Sequence, residues 1–269
     1  MPGIQYQKKN EYALEGVATS DEDLTGELVL MGSMLLVAAL GTYFVYRSLQ
    51  SKTMIASLSS IDFIIQEEIS SKDRYNRLYK HPVWPQGDSG ITIGIGYDLG
   101  YHSSKQILQD WNMLAVKDLS VLLTAAGKTG NIAQSLLKGN EALRSIFIPY
   151  EAAIKVFLEK SLPRFARAAL KIYPGLDQLE PDAVGAIISM VYNRGTALEG
   201  DRRREMKAII PLIANKDYPG IAAQILASRR LWVGSATPGV ASRREKEAEL
   251  VRGAVRKYAP EELYALKVA

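Results

Sequence analysis

No cysteine occurs in the 269 residues, which excludes disulfides, thiolate metal sites and a cysteine nucleophile. Histidine is nearly as scarce. His81 and His102 are the only two, too few for a histidine-rich metal centre. Hydrolytic chemistry must then rest on carboxylates, hydroxyls or a lysine, and neither metal nor cofactor is expected. Internal repeats and low-complexity tracts are also missing. The remaining composition is that of an ordinary globular protein, with enough apolar residue to build a core without staples.

The net charge of +4 is unevenly spread. Residues 1–46 hold Lys8 and Lys9 against Glu11, Glu15, Asp21, Glu22, Asp23 and Glu27, a balance of −4. The remainder carries +8, the difference between +4 and −4. A basic region is drawn to anionic polymers, cell wall and nucleic acid alike. Arginines cluster at Arg202–Arg204, Arg229–Arg230 and Arg243–Arg244, but no nucleic-acid-binding module surrounds them, and nucleic acid is not expected as a partner.

From Leu28 to Tyr46 the chain has no charged residue. As a helix this run would be roughly 28 Å long, close to a bilayer core of about 30 Å. Tyr43, Tyr46 and Arg47 stand at one end as interfacial anchors would. The alternatives are a buried core helix and a cleaved signal peptide. The uncharged circumference weighs against the first. The long acidic tail, with no small-x-small site after the run, weighs against the second. The expected organisation is an acidic tail (1–27), a single transmembrane helix (28–46), a polar linker (47–57) and a folded domain (58–269).

Within that domain, Ile61, Ile64, Ile65 and Glu68 follow helical spacing over Ser59–Ser70. Ser71 to Gly90 reads as loop, through His81-Pro82, Trp84-Pro85 and Gly87-Asp88-Ser89-Gly90. Ile91 to Gly100 alternates as a strand does and is rich in glycine. Beyond His102 only helical patterns follow, near Ser104–Trp111, Val116–Ala126, Ile132–Leu137, Glu141–Ile146, Pro149–Tyr173, Pro181–Tyr192, Arg202–Asn215, Tyr218–Ser228 and Ser242–Tyr258. A small β element in a helical domain predicts an α+β class.

Glu68 falls on the apolar stripe of its helix, where partial desolvation favours the protonated form that a general acid needs. Glu67 is the rival, and a solvated helix-end glutamate is the plain alternative for either. In the alternating segment, Ile91, Ile93 and Ile95 share one face. Thr92, Gly94, Gly96 and Asp98 share the other, which is polar and stripped of bulk. Thr92 could hold a water that Asp98 or Asp88 orients or deprotonates. An unbroken strand would separate Thr92 from Asp98 by about 20 Å, so one site can use both only if the glycines bend the chain. A structural hairpin with glycine turns is the other reading.

A glutamate at a helix end followed by TIGIGY (Thr92–Tyr97) resembles the active-site region of phage-type lysozymes and the related bacteriocin pesticin. Two further segments agree in order. AVGAIISMVYNRG (Ala183–Gly195) is similar to the central helix of those enzymes. LASRRLW (Leu226–Trp232) with PGVASRREKEAEL (Pro238–Leu250) is similar to their C-terminal arginine-rich helix pair. The resemblance spans about Ser59 to Tyr258. It implies a lysozyme-like α+β fold, mostly helical with one small β-hairpin, preceded here by the transmembrane helix. It also implies hydrolysis of the β-1,4 bond between N-acetylmuramic acid and N-acetylglucosamine.

Carried over, Glu68 matches the catalytic acid and Thr92 the hairpin threonine. Asp88 or Asp98 matches the second carboxylate. Tyr192 and Asn193 match a turn lining the sugar groove, and Arg243 or Arg244 a basic position near the cleft, suited to a peptide-stem carboxylate. The stretch from Ser71 to Gly90 is longer than in phage lysozymes; its Trp84 either stacks on sugar or packs against the domain.

The implied partners are peptidoglycan, a lipid membrane through 28–46 and other virion proteins. The implied location is a virion membrane, or a bacterial inner membrane with the domain facing the periplasmic wall. Arg47 and Lys52, however, would by the positive-inside rule leave the domain in the cytoplasm. Inversion is expected if the two carboxyls lie about 6.5–9.5 Å apart. Two competing readings are a lytic transglycosylase, which needs the glutamate alone, and a non-catalytic virion or membrane structural protein that kept the fold.

Overall fold

The computed structural model describes residues 53–232 and 238–268. The chain enters through β1 (Thr53–Ser57) and passes directly into α1 (Leu58–Ile69). Ser57 makes that junction, its hydroxyl capping the helix by accepting from the Ser60 N–H at 3.2 Å. Helix α1 buries Ile61, Ile64, Ile65 and Ile69 and stops at Ser70, which adopts φ +62°. A second short helix, α2 (Lys72–Leu78), starts at a Ser71 cap. It lies within the stretch expected to be loop.

Strands β2 (Thr92–Ile93) and β3 (Tyr97–Asp98) form the expected hairpin. The smaller helices α3 (Ser104–Asp110), α4 (Val116–Leu122), α5 (Gly130–Gly139) and α6 (Glu141–Ser145) follow. Next come α7 (Tyr150–Val156) and α8 (Leu162–Ile172), joined by a π-helical turn at Phe157–Ser161. Pro163 has no N–H to give the carbonyl four residues back, so the helix loosens there rather than continuing as one regular element.

Helix α9 (Pro181–Arg194) is the axis of the fold. Pro181 opens it, Gly195 at φ +72° ends it, and every residue from Asp182 to Val191 is buried. It packs on α1, α8 and β1. Gly185 lies against Ser60, where any Cβ would collide with the serine side chain. Helices α10 (Arg204–Ala214), α11 (Tyr218–Ala227) and α12 (Pro238–Arg252) close the far side. Strand β4 (Leu263–Lys267) then returns to pair antiparallel with β1, from Thr53↔Lys267 to Ser57↔Leu263.

Three expectations are corrected. The described residues form a mostly helical α+β unit with two separate two-stranded sheets, not one, and Thr53–Ser57, read as linker, is a strand. A fold and location defined by a transmembrane helix are not supported either: no helix among the described residues is long and apolar enough to cross a membrane. The run Leu28–Tyr46, on which single-pass anchoring rested, lies outside the described residues.

Candidate active site

The floor of the site is the hairpin. Gly94 and Gly96 sit at φ +59° and +65°, a region glycine enters without steric cost, and the chain reverses there. Thr92 therefore pairs directly with Asp98 across the two strands. The long separation of an unbroken strand is replaced by adjacency. Both glycines also stand where neighbours leave no room. A Cβ on Gly94 would come within 2.7 Å of the Trp111 ring, and one on Gly96 within 2.5 Å of the Tyr192 hydroxyl.

Asp98 holds the hairpin closed. Its Oδ2 accepts the Gly90 N–H at 2.9 Å and its Oδ1 the Gly100 N–H at 2.8 Å. Burial pushes its carboxyl up from the usual 3.8, while those two backbone donors pull it down. Behind it, the Asp98 carbonyl accepts from His102 Nδ1 at 2.7 Å. Arg164 donates from Nη1 to His102 Nε2 at 2.7 Å and from Nη2 to Asp110 at 2.6 Å.

Glu68, in the last turn of α1, forms one wall. Its side chain is 21 % exposed, and its Oε1 is ion-paired with Arg243 Nη1 at 2.8 Å. Its Oε2 is the oxygen nearer Gly96. Tyr192 completes this corner by donating from its hydroxyl to the Ile95 carbonyl at 2.9 Å. Burial, with the nearby Glu68 charge, raises the phenol well above 10 and keeps it a neutral donor.

Glu68, Thr92, Asp98, Tyr192 and Asn193 all line one cavity of about 630 Å³, a size typical of ligand sites. A further wall comes from Tyr79, Val83, Trp84 and Pro85. Val83 exchanges two hydrogen bonds with Thr92, at 3.0 and 2.7 Å, so this wall is tied to the floor. Among the described residues no group of His, Asp and Glu is placed to hold a metal ion.

Of the remaining expected site residues, Asp88 and Arg244 lie away from the cavity lining and Arg243 stands behind Glu68. Asp88 is exposed and not part of the cavity lining; its carbonyl accepts from the Tyr101 hydroxyl at 3.3 Å. Glu67 turns from the cavity to pair with Lys246 at 2.8 Å. Arg244 is fully buried and bonds Glu247 at 2.7 Å. Arg243 is 5 % exposed, its guanidinium bonded to Ser189 as well as Glu68, so it orients Glu68 rather than waiting for a substrate carboxylate.

Sequence reasoning missed Ser189 and Glu247. The Ser189 hydroxyl donates to Glu247 Oε1 at 2.6 Å, and Glu247 lies 3.4 Å from Arg243. The i, i+3 and i, i+4 spacing of Glu247 from Arg244 and Arg243 was the available signal.

Glu68, fixed by the buried Arg243, and the glycine-bare hairpin line one open cavity, an arrangement that can support acid–base chemistry. Comparison with known families matches residues 66–172, less than half of the chain, to a Domain of unknown function (DUF8812). No curated protein matches the chain.

Proposed function

We propose that this protein is a muramidase, cleaving the β-1,4 bond between N-acetylmuramic acid and N-acetylglucosamine in peptidoglycan. One observation supports the reading above the others: Glu68 shares a single open cavity with the paired Thr92 and Asp98 of the hairpin. Arg243 occupies Oε1 of Glu68, which leaves Oε2 as the oxygen that delivers a proton to the leaving glycosidic oxygen. A water held by the Thr92 hydroxyl and Asp98 attacks the oxocarbenium-like carbon and gives its proton to the Asp98 carboxylate. Asp98 can still do this, because a carboxylate has about four lone-pair sites and the backbone takes two. Tyr192 and Asn193 border the bound chain.

Lytic transglycosylation is the second reading, favoured by the engagement of both Asp98 oxygens with backbone. Glu68 then protonates the leaving oxygen and takes a proton from the muramic acid's own hydroxyl, leaving an anhydro end.

Adding the full chain to purified peptidoglycan, with Glu68→Gln in parallel, tests both. Turbidity should fall, and the variant should be slower by about 10²-fold or more. Free reducing N-acetylmuramic acid in the product masses supports the muramidase; anhydro ends select the second reading. Intact wall beside a well-folded wild type would overturn both.

A further inference from the structure

The cleavage reading uses one wall of the cavity and its floor. The other wall, supplied by the stretch that is longer than in phage lysozymes, is left without a role. Trp84 lies there, half-buried and packed against the core at one side while lining the cavity at the other. Its indole N–H donates to the Ser89 carbonyl at 3.0 Å. The same carbonyl accepts the Gly130 N–H at 2.9 Å. Next to Trp84, Val83 is bonded in both directions to Thr92. The ring is therefore held at its polar edge by Ser89, and the backbone next to it is tied to the hairpin floor through Val83.

Such fixation has a consequence for binding. An indole whose N–H is already satisfied presents an apolar face at little further cost in side-chain entropy. Tyr79 and Pro85 continue the same wall and make it an aromatic, apolar surface. The floor of the same cavity offers Thr92, Asp98 and bare glycine. A ligand matching both sides must have an apolar face and polar edges on one rigid ring. Pyranose rings do: axial C–H groups form the face, and hydroxyl or acetamide groups the edge.

We propose that the Tyr79–Trp84–Pro85 wall is a saccharide-binding face, with Trp84 as the platform on which one ring of a β-1,4-linked N-acetylhexosamine chain stacks. This assignment deepens the cleavage reading and rests on it for the class of sugar. Phe in place of Trp84 keeps an aromatic ring but loses the bond to Ser89. Ala removes the platform.

The test uses the full chain carrying Glu68→Gln, so that ligand is not consumed, titrated with an N-acetylglucosamine tetramer. Tryptophan emission and calorimetry are read together. Trp111 is fully buried, and Trp232 is not among the residues lining this cavity. A saturable emission change is expected; it should vanish in Trp84→Phe, while calorimetry retains weaker binding. Trp84→Ala should lose at least about tenfold in affinity, as expected when part of an aromatic face is removed from the contact.

An unchanged emission response in Trp84→Phe would overturn the proposal, as would undiminished affinity in a folded Trp84→Ala protein. Absence of tetramer binding overturns it too. The fate of the cleavage reading is separate, because wild-type digestion of peptidoglycan is measured independently of the tetramer.

Discussion

Each nitrogen of the Arg243 side chain has a partner. Nη1 donates to Glu68, Nε to the Ser189 hydroxyl at 3.2 Å, and Nη2 to Ser189 at 3.0 Å. With Arg244 it also offsets Glu247, which is fully buried and whose carboxyl is pushed up by that burial. Removing one member of a buried charged network leaves its partners uncompensated and costs about 3–5 kcal/mol. Arg243→Met should therefore shift the urea midpoint strongly downward. Glu68→Gln keeps an acceptor for Arg243, whose charge Glu247 still meets at 3.4 Å, and should shift the midpoint less than Arg243→Met. Equal stability of Arg243→Met and wild type would show that the network does not hold α12 on α1. Glu68 was legible in the sequence because it ends a stripe of isoleucines. The choice between Arg243 and Arg244 was not: adjacent helical residues point different ways, and the partner that decides lies 175 positions away.

At the scale of elements, the hairpin depends on a neutral His102. Arg164 can only donate, so His102 Nε2 must accept, and Nδ1 then carries the proton given to the Asp98 carbonyl. Asp98, Asp110, Arg164 and the stacked Tyr97 ring surround it. Burial lowers its pKa below the usual 6.5, with Arg164 acting the same way and the two carboxylates opposing. The sign follows from linkage: the unfolded chain binds this proton more readily, so stability is complete above about 6.5 and falls as pH drops through 6.5 toward the folded value. Asp98, with its carboxyl raised above the usual 3.8, acts in the other direction. Urea midpoints between pH 7 and 5.5 should decline for wild type and decline less for His102→Gln. Parallel curves would remove His102 from the account. The reversal of Ile91–Gly100 was open in the sequence for a related reason. Glycine at two positions permits a turn, but the close approach of Trp111 and Tyr192 that leaves room for nothing larger there comes from residues outside the segment. Helix α2 escaped because Lys72–Leu78 buries only Tyr75, too little for a periodic signal.

At the scale of the whole unit, the β1–β4 ladder joins segments more than two hundred positions apart. Neither strand was foreseen: five residues give few alternations, and edge pairing becomes visible only when both partners are known. The ladder buries Met54, Ala56 and Leu266 completely, and β1 packs on α9. The opposite end of α9 carries Tyr192 and Asn193 into the cavity, so one helix spans from this sheet to the site. Leu266→Ala should cost about 2–5 kcal/mol through the lost burial and the space left behind. Helices transmit such a loss as a change in the folded fraction rather than as a graded bend, because packed cores resist continuous deformation. Peptidoglycan cleavage per folded molecule should then be unchanged, measured at a temperature where wild type and variant are both fully folded by circular dichroism. A fall in cleavage under that condition would mean that α9 passes the packing defect on to Tyr192. The sheet would then belong to the site's positioning, not only to the stability of the unit.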